Sequence, residues 1–391
     1  MKDVPRLSGY QIRFIAGMAL VVSFRILGLS LLIPIIALHG KNLSDSTILI
    51  GLAVGGYGAT QALFQIPYGM ASDRFGRKRM IITGMLIFSA GSFLGGFAQT
   101  IEALIIARIL QGGGAVTATV FAFINDVIDI RHRNFVTAII GAPIGIFFSI
   151  GVIAGPILAH LYGIDLLFFL SGALGIIITV YLVFFIHERN PEEKRETISW
   201  SQIGSVFRDR ALLKVDVAGL LMYSSINAIF FILPLIMAER FGLNMNEFTY
   251  IYFPMIMVAI VLMLLFSKIA DRGYTRESIM ISFTLIAIGS IGMIFSDGIV
   301  LLAVTATVVF AGANVMEPIL PILVGKVARQ QVVGTAMGAY STIQFAGSLV
   351  GALIVGFLLP YGFTAAILFL TVVGCTGFLL AVTIKNPPPA T

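Results

Sequence analysis

Charge is what this chain has least of. Lys, Arg, Asp and Glu make up only 11% of its 391 residues, where a soluble domain carries roughly a quarter. A water-soluble fold is thereby excluded. Cysteine occurs once, at Cys375 inside an apolar stretch, so no disulfide or thiolate metal site exists within one chain. The four histidines, His39, His132, His160 and His187, stand apart without ligand spacing, and metal catalysis has no support. P-loop, G-x-S-x-G and dinucleotide fingerprints are missing as well, which argues against an ATP-driven pump or another enzyme. No cofactor is expected. A cleavable leader is not expected either, because the apolar run from Ile12 is too long for a signal peptide and lacks a small-residue cleavage site.

What the chain does have is apolar length. Its residues are 58% hydrophobic and its mean hydropathy is +1.00. Runs able to cross a bilayer, about 20 residues each, read as 11–38, 46–71, 79–98, 101–128, 135–161, 164–187, 212–238, 246–270, 277–296, 299–326, 333–359 and 363–385. The expected fold is an all-α membrane protein of twelve transmembrane helices, since no alternating barrel pattern competes. With both termini cytoplasmic, every loop cation except Lys41 and Arg240 falls on the inner side. The net charge of +6 is therefore topological and does not point to nucleic acid.

The charged stretch His187–Glu196 interrupts the chain at its middle, and Ile198–Arg210 follows with the apolar spacing of an interfacial helix. This divides the chain into a six-helix bundle over 1–187, a cytoplasmic linker over 188–211 and a second six-helix bundle over 212–391. The halves look related. Lys268-Ile269-Ala270-Asp271-Arg272 echoes Met70-Ala71-Ser72-Asp73-Arg74 half a chain later, and Gly347-x-x-x-Gly351 echoes Gly151-x-x-x-Gly155. Pseudo-symmetric halves around a midplane site are a transporter architecture.

Charges inside spans are costly and mark candidate sites. Arg25 sits midway along the first span and needs a counter-charge, an anion or a cavity. Arg108 lies in the fourth span, followed by Gln111-Gly112-Gly113-Gly114. Glu317 lies within the tenth span, before Pro318, which loosens the local backbone. Lost hydration disfavours a charged carboxylate, so an acid there is suited to taking up and releasing protons. Asp216 lies near the start of the seventh span and reads as interfacial. A structural reading stays open for each arginine, as a fixed partner of a carboxylate or a brace between helices.

The loop between the second and third spans reads Gly69-Met70-Ala71-Ser72-Asp73-Arg74-Phe75-Gly76-Arg77-Lys78-Arg79. Gly76 permits a tight turn, and Asp73 can bond freed N–H groups or an arginine. The pattern G-x-x-x-D-R-x-G-R-K resembles the loop signature of the major facilitator superfamily. R-x-x-Q-G at Arg108 resembles a second superfamily motif, whose arginine is associated with proton coupling. Gly151-x-x-x-Gly155-Pro156 resembles a helix-packing motif of the drug/proton antiporter branch, although Ala142 and Ala159-His160 depart from it. Phe24–Gly28, Gln65–Gly69, Asn314–Glu317 and Gly334–Phe345 resemble the YajR-type bacterial drug-efflux transporters. The chain ends at Thr391, just past the last span, and is expected to lack the extra soluble C-terminal domain of the fuller members.

The resemblance implies a secondary transporter of a prokaryotic cytoplasmic membrane, working by alternating access and exporting small organic or drug-like molecules against inward proton movement. Gly69, Asp73, Arg74, Gly76, Arg77, Lys78 and Asp126 would form a cytoplasmic conformational latch, with Glu317, Arg108 and Arg25 serving proton coupling. Polar and aromatic groups within spans, Gln61, Gln65, Tyr223, Asn227, Tyr252, Asn314, Tyr340 and Gln344, are the candidate substrate cavity. Partners are then a small-molecule substrate, protons and the lipid bilayer, with the protein a monomer. Two alternatives stay open: uptake of a specific metabolite, with Arg25 and Arg108 clamping an anion, and a membrane receptor or scaffold that does not transport.

Overall fold

Twelve helices long and apolar enough to cross a membrane are present in the computed structural model, which describes residues 8–128, 130–188, 200–329 and 332–386. The first half contains α1 (Gly9–Ser30), α2 (Ile36–Leu43), α3 (Thr47–Phe75), α4 (Arg77–Gly96), α5 (Ile101–Gly112), α6 (Thr117–Val127), α7 (Ile130–Tyr162) and α8 (Ile164–Phe185). After α9 (Trp200–Arg208) come α10 (Arg210–Glu239), α11 (Thr249–Asp271), α12 (Thr275–Ile294), α13 (Ile299–Val327), α14 (Val333–Leu358) and α15 (Phe363–Val382). The expected all-α membrane fold is what forms.

Local chemistry sets the helix starts. Ser8 and Gln11 make a reciprocal capping box at α1, and Asp209 accepts from Ala211 N (2.8 Å) and Leu212 N (3.3 Å) to begin α10. Two expected spans are interrupted. The run read as 11–38 leaves the helix after Ser30 and resumes at Ile36, because Pro34 has no N–H to continue the ladder. The run read as 101–128 breaks between α5 and α6, where Gly113 and Gly114 follow Gly112 and helix propensity is lowest.

Helices α1–α8 pack mainly on one another, as do α10–α15; the two sets meet along α3 with α14, α7 with α11 and α2 with α10. The α3–α14 contact is close because α3 presents glycine there. A Cβ at Gly51 would stand 2.7 Å from the Ala352 carbonyl oxygen, and one at Gly55 2.9 Å from Leu349 Cα. Among the described residues, hydrogen bonds joining the sets include Thr47 Oγ1 to the Gly356 carbonyl (2.5 Å), Tyr252 Oη to the Pro34 carbonyl (3.3 Å), Thr249 Oγ1 to the Ile153 carbonyl (3.2 Å) and Lys41 to Glu239. These lie toward one end of the molecule, the Lys41 face. The opposite, linker face carries the Gly76 turn and α9. Around the outside, Leu63, Phe184, Val261 and Val300 are exposed, as lipid-facing side chains must be.

Residues 189–199 of the linker expected at 188–211 lie outside the described residues. Its final part, α9, packs against α10 and α14 and buries Val206. Asp216, expected at the interface, is instead 1% exposed, because α10 begins well before it and is covered by α14 and α13.

Candidate functional site: two buried charge clusters and a linker-face latch

At the linker face, α3 ends at Gly76, whose φ of +97° is the left-handed region that glycine enters without strain. The sharp turn carries Arg77 back beside its own helix. Arg77 Nη2 lies 2.5 Å from Asp73 Oδ1, and Nε lies 3.0 Å from Asp126 Oδ2 at the end of α6. Nη1 donates to Ser72 Oγ at 2.5 Å and to the Gly69 carbonyl at 3.5 Å. One planar fork thus ties α3, α4 and α6, as only a guanidinium can. Lys78 Nζ donates to the Val183 carbonyl of α8 (2.9 Å). Arg74 stands outside this cluster, exposed with its guanidinium over Phe75.

Glu188 joins this cluster unannounced by the sequence, where it reads as a linker charge. Its carboxylate accepts from Arg77 N (2.8 Å) and Lys78 N (3.1 Å). Gly76 gives α4 no capping side chain, so Glu188 satisfies the first N–H groups and meets the positive helix end.

Arg77→Ala should destabilise the protein by about 3 kcal/mol, the lower end for breaking a buried ion pair, since Asp126 is partly exposed. Thermal unfolding in detergent is the check. Arg77→Lys should recover only part of the loss, because one ammonium cannot fork to both carboxylates. An unchanged midpoint in Arg77→Ala would show that this cluster carries no stability.

Deeper in the first half, Arg25 and Arg108 share one aromatic partner. Arg25 donates to Thr117 Oγ1 (3.0 Å), Gln61 Oε1 (2.7 Å) and Tyr57 Oη. Arg108 donates to the Ala53 carbonyl (3.2 Å) and Gln111 Oε1 (2.5 Å), and Gln111 Nε2 passes the chain on to Ser92 (2.9 Å). Both guanidinium carbons lie over the Tyr57 ring, 5.7 and 5.3 Å from its centroid. Cation–π attraction offsets part of the desolvation. Neither arginine pairs with a carboxylate among the described residues. Tyr57 was not legible as a site residue, because nothing in its own segment marks it.

The acids lie in the second half. Glu317 is about ten residues from the linker-face end of α13, or about 15 Å. Tyr223 Oη of α10 donates to its Oε1 at 3.2 Å, while Oε2 has no protein partner. Tyr223 packs edge-on against Phe345 (5.5 Å between centroids). Asn227 Nδ2 bonds only the Tyr223 carbonyl (3.1 Å), and Asn314 Oδ1 is unpartnered. Pairing of Glu317 with Arg25 or Arg108 does not occur.

The remaining candidate cavity residues separate. Gln65 and Gln344 are buried, with Gln65 Oε1 unpartnered. Tyr340 is buried against Gly219, its hydroxyl unpartnered. Tyr252 sits near the Lys41 face, bonded to Pro34. Gly151 and Gly155 pack against Ser30 and Leu31, where a Cβ on Gly155 would lie 3.2 Å from Leu31 Cα. These glycines hold α7 against the break between α1 and α2.

The chain matches the Major Facilitator Superfamily model over residues 18–352, with a second match over 217–391. It is 32% identical over 357 residues to the inner membrane transport protein YajR of Escherichia coli K12, covering 88% of this chain and 76% of that protein. It is 29% identical over 377 residues to multidrug resistance protein 1 of Bacillus subtilis 168, covering 92% of this chain and 93% of that one. Among solved structures, a bacterial homologue of the human lysosomal transporter Spinster superimposes with a TM-score of 0.81 at 13% identity, over 98% of this chain and 100% of its own.

Proposed function

The chain belongs to the Major Facilitator Superfamily, and on that premise we propose that it exchanges protons for small organic compounds across a bacterial cytoplasmic membrane, with efflux as the working direction. That it is a multi-pass transporter and not an enzyme follows from the family and its relatives. The finer reading rests on Glu317. A half-buried carboxyl midway along a membrane helix, held by a tyrosine hydroxyl and no cation, is costly to keep charged and suits alternate loading by a proton. In the first half, Arg25 and Arg108 share Tyr57. A cationic compound arriving between the halves would compete with the proton for the acid.

Alternating access requires one face to open as the other closes. Contacts at the Lys41 face supply one closure, and the Arg77 cluster supplies a latch at the other. With most loop cations on the linker face, that face and both termini are assigned to the cytoplasm. The transporting unit is taken to be a monomer.

The second reading, uptake of an anionic metabolite, is favoured by one observation: neither Arg25 nor Arg108 has a carboxylate partner among the described residues. The experiment is a proteoliposome assay with a trapped pH dye, challenged with cationic, neutral and anionic compounds. Proton movement triggered by cations and opposite to theirs supports exchange. Proton movement triggered only by anions, in the same direction as the anion, replaces it with symport.

A further inference from the structure

Along α13, Glu317 does not stand alone. Asn314 lies three residues before it, so the two side chains leave the helix on one face, with Cβ atoms about 5–6 Å apart. Both residues are half-buried. Glu317 Oε2 and Asn314 Oδ1 are buried acceptors with no donor among the described residues, while Glu317 Oε1 is taken by Tyr223 Oη (3.2 Å). Asn227, one turn on from Tyr223 in α10, has its amide donor engaged by the Tyr223 carbonyl (3.1 Å). The backbone adds to the same bias. Pro318 and Pro321 lie inside α13 and carry no N–H, so the carbonyls of Asn314 and Glu317, four residues before them, lose their helical donors. One turn of α13 thus concentrates oxygen acceptors that are short of donors.

Buried acceptors without partners select a ligand that brings donors. A cation with N–H groups does so, and it neutralises the carboxylate as well. One ammonium nitrogen held at hydrogen-bond distance from two oxygens bridges about 4.6 Å between them, which suits side chains one turn apart. A quaternary ammonium offers the same charge and no donor. A hard divalent cation needs six or more oxygens around one point, whereas helix carbonyls point along the axis. We propose that Asn314 and Glu317 are two arms of one recognition site for protonated amines, so that the transporter selects cations by the N–H donors they carry. Tyr223 and Phe345, packed edge-on at 5.5 Å between centroids and both half-buried, offer a wall for the apolar body of the ligand. The proposal rests on the reading that a cationic compound displaces the proton at Glu317, and it names which cations do so.

The test is titration calorimetry on the whole protein in lipid nanodiscs, with 2-phenylethylammonium and its N,N-dimethyl and N,N,N-trimethyl analogues. These carry the same charge and three, one and no N–H donors. Affinity should fall along the series, by about a hundredfold from first to last, because both acceptors end without a donor. Asn314→Leu keeps the bulk of the side chain and removes the amide. It should weaken the primary amine about tenfold and leave the trimethyl compound unchanged; if it does not fold, Asn314→Ala replaces it. Equal affinities across the series in wild type overturn the proposal. So does a series that persists unaltered without the amide, which would reflect only the bulk of the methyl groups. Displacement of the amine by sodium at constant pH overturns it too, by giving the oxygens to a metal ion. The same compounds then go through the dye assay. Graded affinity without amine-driven proton movement sinks the coupled-exchange reading and leaves the amine site standing, whereas proton movement driven equally by all three does the reverse.

Discussion

Glu317→Gln should abolish compound-driven proton movement and weaken binding of a cationic compound while leaving the protein folded. Glutamine keeps the shape of the side chain and an oxygen to accept from Tyr223 Oη, so packing between α10 and α13 persists. What it loses is the exchangeable proton. The loss should be about a hundredfold or more, as expected when a positioned proton-transfer group is removed. Tyr223→Phe should have a smaller effect, because it removes one hydrogen bond, worth about 1.5–3 kcal/mol to a charged acceptor, without removing the carboxyl. Dye-reported flux in proteoliposomes, with binding measured in parallel, separates the cases. Flux that persists in Glu317→Gln would move coupling away from this acid, toward Arg25, Arg108, Asp126 or Asp216.

Covalently joining Lys41 and Glu239 should arrest transport completely and reversibly. These residues come from α2 and the end of α10, on opposite sides of the contact between halves. Their side chains are 45% and 36% exposed, so the ion pair itself contributes little, about 0–1 kcal/mol, and Lys41→Ala should transport almost normally. A bond cannot be outcompeted by solvent. In a Cys375→Ser background, which removes the one native and exposed thiol, Lys41→Cys with Glu239→Cys should be silenced by a short bifunctional thiol reagent. Cleaving the reagent should restore activity. Full transport in the cross-linked protein would mean that the Lys41 face need not open during the cycle.

Much of this molecule was legible in one dimension. Twelve spans could be counted because crossing a bilayer needs about 20 apolar residues, a property of local runs. Arg25, Arg108 and Glu317 stood out because charge in such a run is costly wherever it points. Asp73, Arg77 and Asp126 were expected together from resemblance, and they meet within 3.0 Å. Interruptions inside spans were harder to foresee. A bilayer-length run hides a break at Leu31–Ile35 or Gly113–Val116 as long as hydrophobicity continues through it.

Partners were the part that sequence could not supply. Arg25 meets Tyr57, Glu317 meets Tyr223, and Glu188 caps a helix begun more than a hundred residues earlier. In lipid, apolar faces pack by shape and small residues, not by a hydrophobic stripe that periodicity would reveal. Which polar side chain meets which is therefore settled only when helices approach. The same reason explains Asp216: its position near the start of a span suggested water, and only the covering helices decided that it is buried without a partner. Chain composition and run length determined that this is a twelve-helix membrane protein with costly internal charges. Tertiary packing decided that Arg25 and Arg108 gather around Tyr57 in one half and that Glu317 meets Tyr223 in the other, because contact between distant segments is a property of the assembled helices alone.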